Sequence, residues 1–405
     1  MRIGVDTVCL APPYTGIPNY VLNLLTALTE RPDANVRTLT GYRLFNWHTV
    51  DRAFIDHCRR MARKTPEAAH LSLGAAGMAA QATSRVRRFV SRNPVLHRFA
   101  TQALEWHFSA TMPPRRLDVF HAFLSRPPGP DRGVPIVPVV YDLSFLKFPE
   151  LHTTARITWM RSIAAICQDA PLVHTISRAV QVEIIAEFGR SASDVHVIEP
   201  GVNDLFLDPM IGNTDILDRL KLTPGCYALS VATLEPRKNF KTLVAAYAGL
   251  SPGERRGMPL VIVGGRGWGD TGLAGAIEPL LAEGTLHFTG YVSDFDLKTL
   301  YRSALALFYP SLYEGYGMPI AEALALGCPV VVSDSSSMPE AACGVGRLVA
   351  PLDIDGWRQE LRRAADSNHG EVYQASLRSA VAHLTWERAA EKTVALYSAL
   401  ARQTG

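Results

Sequence analysis

Short apolar runs alternate with stretches of helical periodicity along this chain, and they do so in two separate series. Such alternation marks βαβ units and parallel sheets. In the first series the runs fall at 2–9, 119–122, 136–141, 172–175 and 195–198, with helical patterns at 18–28, 155–169 and 178–188. A passage of weak periodicity follows position 201, rich in Asn, Asp, Pro and Gly, and it reads as a linker. The alternation then restarts. Strands are expected at 227–232, 260–263, 286–289, 305–308 and 329–333, and helices at 239–249, 271–283, 294–303 and 319–326. Two αβα units in tandem leave a cleft between the carboxyl ends of their sheets. A last amphipathic stretch at 385–402 is a helix with an apolar face to cover.

The length, 405 residues, suits two domains, and 47% apolar against 20% charged residues excludes a disordered chain or a collagen-like repeat. Six scattered cysteines without a C-x-x-C pair or zinc spacing read as reduced thiols, not as staples or metal ligands. The opening MRIGVDTVCL resembles a first strand, and no run of apolar residues is long enough to span a bilayer. The expected location is cytoplasmic. Formal charge is only +3, too balanced for a nucleic-acid binder as a whole. It is unevenly spread, however. Between Arg52 and Arg98, ten basic residues face only Asp56 and Glu67, a net of +8, which leaves −5 on the remainder. Interleaved apolar residues make 52–98 a candidate contact with an anionic membrane surface, against the plainer reading of a solvated helix face.

Two segments carry chemistry. TLEPRKN, 233–239, stands where an apolar strand ends and a helix begins, a place with free backbone N–H groups. Arg237 and Lys238 there suit a di-anion such as a pyrophosphate. YPSLYEGYGMPIAEALALGCPVVVSD, 309–334, runs from a strand end through a glycine loop into a helix opening near Pro319. Glu314 in the loop and Glu322 in the helix can both face the cleft, where carboxylates accept hydrogen bonds from paired sugar hydroxyls.

The E-x7-E spacing of Glu314 and Glu322 within EGYGMPIAEALALGCPVV resembles the retaining GT-B glycosyltransferases of family 4. TLEPRKN is similar to that family's donor-diphosphate segment. GYVSDFDLKTLYRSA (290–304) and PGVNDLF (200–206) look like its connecting passages, and TGIPNYVLNLL (15–25) and DLSFLKFPELH (142–152) like its acceptor-domain signatures. The resemblance implies an α/β protein with two Rossmann-like αβα domains facing across a cleft and a C-terminal helix crossing back to the first. Its expected division is an acceptor domain at 1–205 with a basic insertion near 46–114, a nucleotide-sugar domain at 206–384, and the crossover helix at 385–405.

By the same resemblance, Arg237 and Lys238 neutralise the donor diphosphate, Glu314 meets hydroxyls of the transferred sugar, and Glu322 meets the ribose diol. Backbone around Gly315, Tyr316, Gly317 and Met318 approaches sugar and phosphate. Gly290 and Tyr291 fall at the base pocket, and Gly16 in the loop over the diphosphate. Many relatives read HD where this chain has Tyr141–Asp142. Asp142 is therefore a candidate active-site carboxylate, with Tyr141 and His121 as partial replacements for the missing histidine. No cofactor or metal is expected: of the two D-x-D matches, Asp294/Asp296 and Asp353/Asp355, the first looks like a helix start capped by Ser293.

The function implied is transfer of a hexose, with GDP-mannose the first donor guess, to a growing glycan, plausibly lipid-linked and bound for a surface polysaccharide. Nucleic acid is not an expected partner. Two alternatives stand beside it: a non-catalytic nucleotide-sugar-binding subunit, and an epimerase or hydrolase on the same scaffold.

Overall fold

The computed structural model describes the chain except positions 8, 11–15, 40–46, 63–116, 125–132, 153, 209, 211–213, 266, 268–271, 274, 368–369 and 405. Most of the basic 52–98 segment therefore lies outside the described residues. Its first part is the Arg52–Ala62 helix, which buries Ile55 and Cys58 and exposes Arg52, Arg59 and Arg60.

Two sheets organise the chain. The first contains β1 (Arg2–Asp6), β2 (Asn35–Leu39), β3 (Trp47–Thr49), β4 (Val119–Ala122), β5 (Ile136–Val140), β6 (Val173–Thr175) and β7 (Val195–Val197), in the order β3-β2-β1-β4-β5-β6-β7. Its pairings are parallel except β2 with β3. The second contains β8 (Ala228–Val231), β9 (Leu260–Val263), β10 (Leu286–Gly290), β11 (Ala306–Tyr309), β12 (Val330–Ser333) and β13 (Arg347–Val349), in the order β10-β9-β8-β11-β12-β13. Every pairing there is parallel. This is the doubly wound order, in which the winding reverses between the first and fourth strands. Every residue of β5, β8, β9, β11 and β12 is buried, as strands covered on both faces must be.

The reversal points are β1/β4 in the first sheet and β8/β11 in the second. Loops leaving adjacent strands at such a point splay to opposite faces and open a crevice at the carboxyl ends. TLEPRKN leaves β8 and YEGYG leaves β11, so the fold brings the two sequence segments together.

The Trp386–Thr404 helix returns to the first domain. Trp386 meets Tyr20 of the Ile17–Thr29 helix edge to face, with ring centroids 5.4 Å apart. The Val202 amide donates to the Leu384 carbonyl at 2.9 Å, and Lys392 pairs with Glu199.

Several local expectations change. The helix expected at 271–283 is only Glu278–Ala282 among the described residues. Gly272 and Gly275 adopt φ of 63° and 80°, which interrupts a right-handed helix, and Pro279 sets the later start. The passage after 201 holds two short helices, Asp204–Leu207 and Asp215–Leu220. The strands β2, β3 and β13, and the helices Ile354–Asp366 and Glu371–Val381, escaped the sequence reading.

Candidate active site

The β8 loop tightens into a short 3-10 turn, Pro236–Lys238, before the Phe240–Ala248 helix. Asn239 sits in the left-handed region at that junction, with φ of 53°. Its side-chain amide donates to the carbonyls of Pro310, at 2.9 Å, and Pro351, at 2.7 Å. This asparagine therefore ties the β8 loop to the β11 loop. From β11 the chain runs through Glu314 to Gly317, which begins the Met318–Ala325 helix with Pro319 in its first turn.

Four charged side chains meet there. The Glu314 carboxylate accepts from Lys238 Nζ at 2.6 Å, from Arg237 Nη1 at 3.1 Å and from the Tyr309 hydroxyl at 3.0 Å. Arg237 also donates Nη1 to the Tyr313 carbonyl at 2.7 Å and Nη2 to Glu235 at 2.9 Å. Exposure is 9% for each cation, 6% for Glu314 and 2% for Glu235. Burial alone raises a carboxyl pKa, yet the charges of Lys238 and Arg237 bring Glu314 down to about 2. Its contribution to stability is complete above the ordinary carboxylate pKa and is lost only as pH falls toward about 2. Burial pulls Lys238 in the other direction, below an ordinary lysine, with Glu314 opposing.

The cluster retains capacity for a ligand. Arg237 Nε and Glu235 Oε2 are buried without a hydrogen-bond partner, and Lys238 makes two of the three bonds an ammonium can donate. The two cations are thus held by carboxylates and still have donor capacity to spare.

Asp142 comes from the first domain and faces this cluster closely enough to favour the charged form of Arg237. Its Oδ1 accepts from the Ser144 amide and hydroxyl at 3.0 and 2.6 Å. Gly315 lies against the same loop. A Cβ built on it would stand 2.1 Å from the Tyr141 carbonyl oxygen, so only glycine allows this approach of backbone to backbone.

Two catalytic candidates fall elsewhere. His121 is fully buried within β4 and both ring nitrogens are engaged, with Tyr397 at 2.6 Å and His174 at 3.0 Å. Burial, together with His174, holds its pKa well below that of free histidine. Tyr141 places its backbone, not its hydroxyl, at the site; the hydroxyl is buried without a partner, and burial raises its pKa well above the ordinary value. Neither is a replacement for an acid–base histidine at the cleft.

Glu322 is half-buried and separate from the charged cluster. It accepts from the Tyr301 hydroxyl at 3.1 Å, and burial, with the nearby Asp294 charge, pushes it up to about 7. Tyr301 and Asp294 belong to the Asp294–Ser303 helix, which follows β10 and the adjoining Gly290 and Tyr291. Gly290 has φ of 69° and Tyr291 is 60% exposed. Tyr316 is buried, Met318 half-buried, and Gly16, φ 55°, opens the Ile17–Thr29 helix. Asp296 donates its amide to Ser293, and Asp353 caps the Ile354–Asp366 helix, so both D-x-D matches are helix starts. Among the described residues no cluster of three or more His, Cys, Asp or Glu side chains is arranged to hold a metal.

The sequence reading missed the braces. The Ser336 hydroxyl accepts from the Glu314 amide at 2.9 Å, and the Ser337 hydroxyl donates to the carbonyls of Glu314 and Tyr316 at 3.0 and 2.9 Å. A run of three serines, one residue beyond the end of β12, was the available signal. Glu235, two residues before Arg237, was also passed over.

Two Rossmann-like domains with a charged crevice between them define the GT-B class of glycosyltransferases, and solved structures share the fold. The Anabaena protein HepE, in complex with UDP and glucose, superposes with a TM-score of 0.62 at 17% identity, over 98% of this chain and all of the other. WaaG, a glycosyltransferase involved in lipopolysaccharide biosynthesis, gives 0.58 at 15% identity over 95% and 94%. Residues 219–375 match the family Glycosyl transferases group 1, and this chain carries that domain. The O-antigen chain mannosyltransferase B of Escherichia coli is 29% identical over 99% of this chain and 100% of its own. The MMP alpha-(1->4)-mannosyltransferase of Mycolicibacterium hassiacum is 31% identical over 58% and 56%. Among the described residues no helix is long and apolar enough to cross a membrane.

Proposed function

We propose that this glycosyltransferase is a retaining, metal-independent enzyme of family 4 that moves mannose from GDP-mannose to a growing, lipid-linked surface polysaccharide. The observation that carries the reading is the Glu235–Arg237–Lys238–Glu314 cluster at the β8/β11 reversal point, faced by Asp142. Mannose is supported by relatives named as mannosyltransferases, including one covering nearly the whole chain.

The donor diphosphate takes the place of Glu314 in the hydrogen bonds of Lys238 and Arg237. Those cations then stabilise the charge that builds on the leaving diphosphate, in a buried site where such stabilisation is strongest. Glu314, released from these two partners, accepts from hydroxyls of the transferred sugar. Glu322 accepts the ribose diol. The bond from the anomeric carbon to the diphosphate oxygen breaks and a bond to the acceptor oxygen forms. On the front-face route the acceptor's proton passes to the departing phosphate oxygen, so no histidine base is needed. This suits a site where Tyr141 replaces the histidine of many relatives and its hydroxyl is buried away. The enzyme works at the cytoplasmic face of the membrane, with the basic 52–98 segment drawn to anionic lipid.

The test is a thermal-shift and transfer assay against GDP, UDP, ADP and dTDP and their sugars, with and without EDTA. UDP belongs in it because the structural neighbour HepE holds UDP. Selective stabilisation by GDP and GDP-mannose, unchanged by EDTA, is expected. Lys238→Ala should weaken donor binding by about 10- to 100-fold, the loss of one charge-assisted hydrogen bond. A requirement for a divalent ion, or preference for another base, overturns the corresponding part of the reading.

A further inference from the structure

The Tyr313 side chain crosses from the second domain into the first. It is 2% exposed, and it meets the first domain at residues 143–148, which include the short Ser144–Lys147 helix, and at the Arg178–Phe188 helix. The hydroxyl donates to Glu183 Oε2 at 2.5 Å and accepts from the Leu143 amide at 3.1 Å. Lys147 pairs with the other oxygen of Glu183, and its ammonium stands 5.7 Å from the centre of the Tyr313 ring. Phe148 packs against the same ring, centroid to centroid 5.9 Å.

The position in the chain gives this contact its meaning. Tyr313 immediately precedes Glu314, and its own carbonyl accepts from Arg237. Leu143 immediately follows Asp142. On the other side of Glu314, Gly315 rests on the Tyr141 carbonyl. The loop that presents Glu314 is thus fastened to the loop that presents Asp142 on both flanks. The Arg178–Phe188 helix is gripped a second time by the second domain. Glu340 accepts from the amides of Arg178, at 2.9 Å, and Ala179, at 3.2 Å.

We propose that Tyr313 is a positioning residue, a clamp whose hydroxyl, held between Glu183 and the Leu143 amide, sets the distance between Asp142 and Glu314 in the closed site. This rests on the reading that both carboxylates face the reacting sugar. A site held together by two loops from different domains needs such a fastening. Misplacement of reacting groups by about 1 Å can cost about 10²-fold in rate. The donor cations lie wholly in the second domain, and the bond from Arg237 to residue 313 goes to its backbone carbonyl, which a change of the side chain keeps.

The experiment compares Tyr313→Phe, Glu183→Ala and Glu183→Gln with the wild type in three measurements. These are steady-state transfer, donor affinity by calorimetry, and hydrogen–deuterium exchange of the amides at 143–148. Phenylalanine keeps the ring in its socket, so the variant retains the packing. Expected for Tyr313→Phe are a fall in kcat of about 10- to 100-fold, unchanged donor affinity, and faster exchange at 143–148. Glu183→Ala should behave alike, while Glu183→Gln, which keeps an acceptor for the hydroxyl, should recover part of both losses. Unchanged exchange at 143–148 in Tyr313→Phe overturns the clamp, and so does a donor affinity that falls in step with kcat. If the wild type transfers no sugar, the functional reading fails while the exchange measurement still decides whether Tyr313 fastens the two loops.

Discussion

Each domain buries a polar network, and the two are built on opposite principles. In the first domain a chain of neutral groups runs from Tyr397 through His121 and His174 to Tyr20, with steps of 2.6, 3.0 and 3.1 Å. All four side chains are almost wholly buried, and each ring nitrogen has a partner. In the second domain Glu235, Arg237, Lys238 and Glu314 bury four full charges, and two of their polar atoms remain unpartnered. The first network joins the returning Trp386–Thr404 helix to β4, β6 and the Ile17–Thr29 helix. It is satisfied internally and has nothing to offer a ligand. The second is compensated in charge but incomplete in hydrogen bonds, so Arg237 Nε and Glu235 Oε2 stay unpartnered. Satisfaction, more than residue type, separates the two networks.

The sharpest way to break this contrast is Glu314→Gln. It removes one charge from the functional network while keeping its shape. Transfer should fall by about 10³-fold, comparable to deleting a charge-stabilising group from a preorganised site. Nucleoside diphosphate binding should persist or tighten, because Lys238 and Arg237 lose their internal competitor. Steady-state kinetics beside calorimetry with the free diphosphate would show it; equal losses in both would mean that Glu314 organises the diphosphate site instead.

The mirror experiment is His174→Leu. It leaves His121 Nε2 and the Tyr20 hydroxyl without their buried partner, while His121 Nδ1 keeps Tyr397, at a cost of about 1–3 kcal/mol per unsatisfied group. The melting temperature should drop, with donor affinity unchanged. Burial holds His174 down to about 3, so the unfolded chain binds the extra proton between that value and the ordinary histidine range. Stability should accordingly be full above about pH 6.5 and decline as pH falls toward about 3, and the variant should decline less. Loss of donor binding in His174→Leu would erase the distinction between the networks.

The same contrast explains what could be read in the sequence. The fully buried strands of the second sheet announced themselves as apolar runs, and β9 was placed at its observed limits. Arg237, Lys238 and Glu314 were legible because each loop follows such a strand, and the winding order then brings both loops to one crevice. His121, named as a partial replacement for the missing histidine, lies inside β4, whose four residues are all buried. Nothing local reveals that its partners are 53 and 276 positions away. The short, partly exposed β13 has too few apolar residues to announce a strand. The Tyr313 socket was invisible for a related reason: Leu143, Glu183 and Tyr313 become neighbours only when two domains close.

The subtlest probe is Glu322, which lies against Tyr301 of the Asp294–Ser303 helix, apart from the charged cluster. Burial pushes this carboxyl up to about 7, with Asp294 adding to the effect and the Tyr301 hydroxyl opposing it. A protonated carboxyl can donate one hydrogen bond, whereas the ionised form accepts from both hydroxyls of a diol. Binding of a nucleotide ribose should therefore favour the ionised form and release a proton from the fraction that carries one. Donor affinity should rise with pH up to about 7 and level off above it, by a few-fold over the range. Calorimetry in buffers of different ionisation enthalpy measures the released proton directly. Glu322→Gln, which carries no titrating group, should bind more weakly and without this pH dependence. Glu314 is already ionised throughout the interval because its pKa is held near about 2, so the two carboxylates of the E-x7-E pair are separable by pH alone. A pH dependence that survives in Glu322→Gln would place the titrating group elsewhere and remove Glu322 from the ribose.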